Sequence, residues 1–112
     1  MDAEGKKEFL LKILNDEDDR DIRVRTLFSF GNTAKSEDVV KKVREIIENK
    51  DEWWMTRKVA IMLFGENRIK SESAFLTKIL QNEDDNRVIR TLIQELGELE
   101  DKKSIELLRK FL

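Results

Sequence analysis

Trp53 and Trp54, followed by Met55, are the residues of this chain best suited to gripping another molecule, since tryptophan brings a large rigid surface to an interface. Neighbouring side chains at a helix start point in different directions, so one core does not enclose both rings. The expectation is one ring covering a seam and the other partly exposed. Carboxylates gather at Asp16-Glu17-Asp18-Asp19-Arg20-Asp21, where metal binding is the chemistry to consider. That tract lacks the glycine and the closing glutamate of an EF-hand calcium loop, and its echo at Glu83-Asp84-Asp85 suits linker and cap residues better. No metal and no cofactor is expected. Catalysis has little to draw on: cysteine, histidine and tyrosine are absent, and no Gly-rich nucleotide motif occurs. Carboxylates and lysines remain for acid–base work, and the expectation is that the chain is not an enzyme.

The elements that position these residues are set by an internal repeat. Ile22 to Gly31, Thr56 to Gly65 and Val88 to Gly97 end alike, with glycines 34 and 32 residues apart. The apolar pairs Ile13-Leu14, Ile46-Ile47 and Ile79-Leu80 step by 33 and 33, and so do Asp18, Asp51 and Asp84. A further pair, Phe111-Leu112, follows 32 residues after the third. Each period divides into two helices. The first runs from the acidic linker, whose aspartates suit free amides at a helix start, to the glycine, which suits a left-handed C-terminal position. The second runs from a polar turn to the apolar pair. Val39, Val40, Val43, Ile46 and Ile47 share one helical face, with Lys41, Lys42, Arg44, Glu45 and Glu48 outside it. Ile105, Leu108, Phe111 and Leu112 repeat that spacing, and Phe9, Leu10, Ile13 and Leu14 mark one more such helix near the start. The spacing predicts seven helices in one all-α domain: a leading helix over about 4–15, then units over about 18–48, 51–81 and 84–112.

Composition agrees. The 112 residues contain no proline and four glycines, so little interrupts a helix. Charged residues make up 41%, yet 22 basic and 24 acidic side chains leave a net charge of −2, without the basic excess usual in a nucleic-acid binder. No apolar run has the length of a membrane span and the start lacks the apolar stretch of a signal peptide, so a cytoplasmic location is the expectation.

An acidic linker, a Val-Arg-like pair, a Leu-Gly-like ending, a short turn and a second helix closing on two apolar residues resemble the HEAT-like repeat. Ile22-Arg23, Thr56-Arg57 and Val88-Ile89 stand at the first pair, and Phe30-Gly31, Phe64-Gly65 and Leu96-Gly97 at the second. The likeness runs from about Lys7 to Leu112. Among the small mid-helix residues only Ala60 is in register, and only Asp101 keeps the acid of the turn. The Trp, Tyr and Pro signature of tetratricopeptide repeats is missing. The resemblance implies a right-handed α-α superhelix, a solenoid of about three helical pairs and a leading helix. It also implies a scaffold that binds a partner on an inner face lined by the second helices.

On that face the candidate residues are Lys41, Lys42 and Arg44, then Lys78, then Arg109 and Lys110, joined by Trp53 and Trp54. The bland reading is that these charges are the ordinary solvated side of amphipathic helices. Another protein is the expected partner. A nucleic acid held by a basic inner face is the alternative, and it predicts steeply salt-dependent binding. Solenoid ends carry polar caps, but Phe111-Leu112 is apolar. It is expected to meet another subunit of a homo-oligomer, a different partner, or further units of a longer array.

Overall fold

The computed structural model describes residues 2–99 together with Glu106 and Arg109. Six α-helices follow one another: α1 (Ala3–Asp16), α2 (Arg20–Phe28), α3 (Glu37–Glu48), α4 (Trp54–Glu66), α5 (Ser73–Gln81) and α6 (Asn86–Leu99). Short 3₁₀ turns, Gly31–Lys35 and Lys70–Glu72, join α2 to α3 and α4 to α5, and no strand occurs among the described residues. The seventh helix expected from Ile105, Leu108, Phe111 and Leu112 lies outside the described residues, as does the expected contact through Phe111 and Leu112. Of that stretch, Glu106 is helical and exposed, and Arg109 sits exposed in a 3₁₀ turn.

Helix starts follow the acids only in part. Asp2 Oδ1 accepts the Gly5 amide at 2.7 Å and caps α1. Asp19 Oδ1 accepts the amides of Asp21 and Ile22 at 2.9 and 3.1 Å and caps α2. Asp85 Oδ1 accepts the Arg87 amide at 2.8 Å at the start of α6. Trp53 stands before α4 and supplies no acceptor. The periodic Asp18, Asp51 and Asp84 are exposed linker residues.

The glycines share a period but not a role. Gly31 follows α2 at φ +54°, the left-handed conformation expected. Gly65 and Gly97 lie inside α4 and α6, and neither is left-handed. After α4 it is Arg68 that takes positive φ, at 52°. Gly65 answers to packing instead: a Cβ there would lie 2.3 Å from Glu95 Oε2.

The units stack as a small-unit array requires. α4 lies beside α2 on one side and α6 on the other, α3 packs on α4, and α5 packs on α6. One apolar ribbon results, running from Leu10 and Leu14 through Leu27, Phe30, Val43 and Ile47 to Ile61, Phe64, Leu76, Leu92 and Leu96. Position along the array decides burial. Ile22, Thr56 and Val88 occupy the same place in successive units; Ile22 is 43% exposed, whereas Thr56 and Val88 are fully enclosed. α4, flanked on both sides, buries residues almost all round its circumference, as a central helix does. α2, flanked on one, buries only Thr26 and Leu27. The molecule is an α-helical solenoid.

Candidate functional site

Arginines stitch the linker edge, where the first helices of the units begin. Arg23 donates from Nη1 to the carbonyls of Leu14 and Glu17 at 2.5 and 3.2 Å, and from Nη2 to Glu52 Oε1 at 2.5 Å. Arg57, one unit on, donates from Nε to the Ile47 carbonyl at 3.0 Å and grips both oxygens of Glu83 at 3.0 and 2.6 Å. Each guanidinium thus closes the last turn of the preceding second helix and holds the following linker. Planar, five-donor arginine can do both at once; lysine cannot. The third position is Ile89, which packs against the core, so the series stops there. The period of the acidic linkers therefore has two causes. Some carboxylates cap helices, while Glu52 and Glu83 receive the arginines.

The tryptophans sit on this edge. Their rings meet edge-on, 6.3 Å apart. The Arg20 guanidinium lies 4.3 Å over the Trp53 ring and that of Arg87 4.4 Å over Trp54, each within cation–π range. Trp53 thus bridges the first and second units, and Trp54 the second and third. Both rings are half-buried, with Trp54 packed against the apolar core and Trp53 partly exposed. Arg87 is itself held by both oxygens of Asp85 at 3.1 and 2.8 Å, and that guanidinium lowers the Asp85 carboxyl to about 2. Trp54 borders a polar hollow of about 330 Å³ with Lys50, Glu52, Arg57 and Glu83.

The basic residues of the second helices are spread out, and two of them, Lys42 and Arg44, pair with acids. Lys41 is exposed. Lys42 is half-buried and lies 3.6 Å from Glu45. Arg44 is committed to Glu72, a buried acid just before α5, through two hydrogen bonds of 2.5 and 2.6 Å, and it also lies 5.6 Å over the Phe75 ring. The Glu72 carboxylate holds the Arg44 guanidinium above its usual pKa. Lys78 is exposed and Arg109 is exposed, while Lys110 lies outside the described residues.

Lys78 borders a groove between the end of α3 and α5. This cavity of about 160 Å³ is floored by Phe75 and Ile79 and rimmed by Glu48, Lys50 and Asn82. It shares Lys50, Arg57 and Glu83 with the hollow beside Trp54, so the two are neighbours. The sequence reading missed Phe75 and Ile79 as a floor. A signal was present: the 33-residue step places Phe75 opposite Lys42, an apolar residue where the unit before has a cation on the outer side.

The geometry gives stacked helical pairs, a stitched linker edge and an apolar groove on the second-helix face. No described helix is long and apolar enough to cross a membrane. No curated protein and no solved structure matches the chain. A family model described as HEAT repeats matches residues 8–88, from α1 into the start of α6, and HEAT repeats generally mediate protein–protein interaction, typically as non-catalytic scaffolds. Most of the chain being covered by that match, it belongs to the HEAT repeat family.

Proposed function

We propose that this chain is a non-catalytic interaction module that binds another protein on its second-helix face, seating an apolar side chain of the partner between α3 and α5. The groove over Phe75 and Ile79 supports the reading, because it is a recessed apolar floor framed by the charged rim of Glu48, Lys50 and Lys78. Phe75 rests edge-on against Phe64 of the core, 6.4 Å away, so the floor is rigid before a partner arrives. A partner that crosses the rim at Lys50 reaches Trp54, which supplies the large anchoring surface typical of interface hot spots. Glu48, Lys50 and Lys78 form the charged surround, whereas Lys41 and Lys42 lie against α1 beside Leu11 and Asn15; Arg44 acts through Glu72 and Phe75 rather than as a free cation.

The test is affinity capture from the native cell with the wild-type chain, with Phe75→Ser, and with the exposed pair Lys50→Glu and Lys78→Glu, folding being checked by circular dichroism. A partner held by the wild type and lost from both folded variants is expected. Equal capture by all three chains would remove the groove from the site. Salt-sensitive binding to duplex nucleic acid that Lys41→Glu with Lys42→Glu abolishes would replace the protein partner altogether.

A further inference from the structure

At the edge opposite the linkers, where α4 and α6 end side by side, a hollow of about 270 Å³ is lined by Gly65, Glu66, Arg68, Gln94, Glu95 and Glu98. Glu95 is only 3% exposed, and its Oε2 is buried with no hydrogen-bond partner. It presses against the bare Cα of Gly65 and lines the hollow. Buried carboxylates are ordinarily hydrogen-bonded or ion-paired, because desolvation without compensation is costly. Every other carboxylate buried to this degree among the described residues is matched: Glu72 holds Arg44, and Glu83 has a side chain enclosed around Arg57. The resident cation of the hollow does not serve Glu95. Arg68, held at positive φ, directs Nη1 to the carbonyl of Glu98 at 3.5 Å. Three carboxylates against one guanidinium leave the hollow negative, with acceptors in excess.

We propose that this hollow is a socket for a cationic group, an ammonium or guanidinium carried on a Lys or Arg side chain of the protein partner, with the Glu95 carboxylate as the principal acceptor and Glu66 and Glu98 flanking it. The proposal rests on the interaction reading above for the source of the side chain, though the socket lies apart from the groove. A carboxylate can only accept when ionised, and the group that completes it must bring donors and positive charge. Gly65 makes room for the Glu95 side chain, since a Cβ there would lie 2.3 Å from Oε2.

Binding is coupled to a proton. Burial, and then the charges of Glu66 and Glu98, raise Glu95 to about 7. The charged groups that face it are Glu66 at the end of α4, Arg68 in the turn that follows, and Glu98 farther along α6. An entering cation favours the ionised carboxylate, so Glu95 releases a proton to solvent as the socket fills. Affinity therefore rises with pH, by about tenfold between pH 6 and 8 for a group titrating near neutrality.

The experiment follows the Glu95 side-chain carboxyl carbon by NMR in the full chain labelled at glutamate. The probes are the amidated peptide Gly-Gly-Arg-Gly-Gly, its citrulline analogue, and spermidine, each against sodium chloride of equal ionic strength. Expected is a saturable shift with the arginine peptide, about tenfold tighter at pH 8 than at pH 6. It should be absent with citrulline and weakened several-fold in Glu66→Gln with Glu98→Gln; in Glu95→Gln, where the labelled carboxyl carbons of Glu66 and Glu98 report instead, it should be lost. The last pair is exposed, so it keeps the test valid if the buried variant misfolds. A response to spermidine alone would overturn the protein side chain as the source, and a response matched by sodium chloride or citrulline would overturn the socket. The Phe75→Ser chain separates this from the groove: loss of the captured partner with an intact Glu95 shift is the result expected if both claims hold, an intact partner counts against the groove alone, and absence of the Glu95 shift in the wild type sinks only the socket.

Discussion

The two edges of the helical slab use charge in opposite ways. Along the linker edge the strongly enclosed charges have their counterparts, Arg23 with Glu52 and Arg57 with Glu83, while the exposed Arg20 and Arg87 lie over the tryptophans. Along the turn edge Glu72 finds Arg44, but Glu95, as deeply enclosed, has no partner. A matched buried pair fixes how one unit sits on the next, because neither member tolerates the loss of the other. An unmatched one costs stability at neutral pH, a pattern found where a group awaits a ligand or a proton. The first edge is built to hold, the second to respond.

The sharpest way to break this contrast is Glu83→Ala. It leaves the Arg57 guanidinium, whose side chain is 5% exposed, with only the Ile47 carbonyl, and is expected to cost about 3–5 kcal/mol in urea unfolding. Replacing both partners, Arg57→Met with Glu83→Leu, should recover most of that loss. An equally severe loss in the double variant would mean that the pair was not the cause.

Glu95 comes next. Its carboxyl is raised from 4.5 to about 7 in the folded chain, so the unfolded chain gives up the proton first. Its contribution is fully present below pH 4.5 and is lost as pH rises through 7. A shift of that size corresponds to about 3 kcal/mol between pH 4.5 and 8 at ~1.4 kcal/mol per pKa unit. Glu95→Gln should flatten this dependence, seen as a smaller drop in urea midpoint between pH 5 and 8 than the wild type shows. Parallel curves for the two chains would show that Glu95 is matched after all.

Glu52→Ala should cost about 1–2 kcal/mol, less than Glu83→Ala, because Arg23 and Glu52 are each 13% exposed at the side chain and Arg23 keeps two carbonyl acceptors. Smallest is Arg87→Ala. Removing the cation over Trp54 is expected to cost about 0.5–1 kcal/mol by thermal unfolding and to redden Trp54 fluorescence as water reaches the ring.

Helix existence was legible because its cause is local. Val39, Val43, Ile46 and Ile47 lie on one face by spacing alone, and all four are buried. Stacking was legible because the same face recurs at a fixed step. What the glycines do was not, since the reason for Gly65 is a side chain 30 residues away on α6. Arg44 reads as a free surface cation until the fold brings Glu72 to it from the next helix pair, 28 residues on. Glu95 was readable in principle. It falls on the same stripe as Val88, Thr91, Leu92, Leu96 and Leu99, all of them buried, and an acid on an inward stripe is the mark of a site.

The stop in the arginine series at Ile89 bears on how the array comes apart. Units joined by a guanidinium spanning helix end and linker share their fate, while a helix held by apolar contact alone can open on its own. α4 is flanked on both faces and lies between the two stitches, whereas α2 has the open Ile22 on its outer side. Amide exchange is therefore expected to be slowest in α4, which both stitches hold, on the timescale of whole-chain unfolding, and earlier toward the two ends, in α6 beyond the last stitch and in α2 beside the open Ile22.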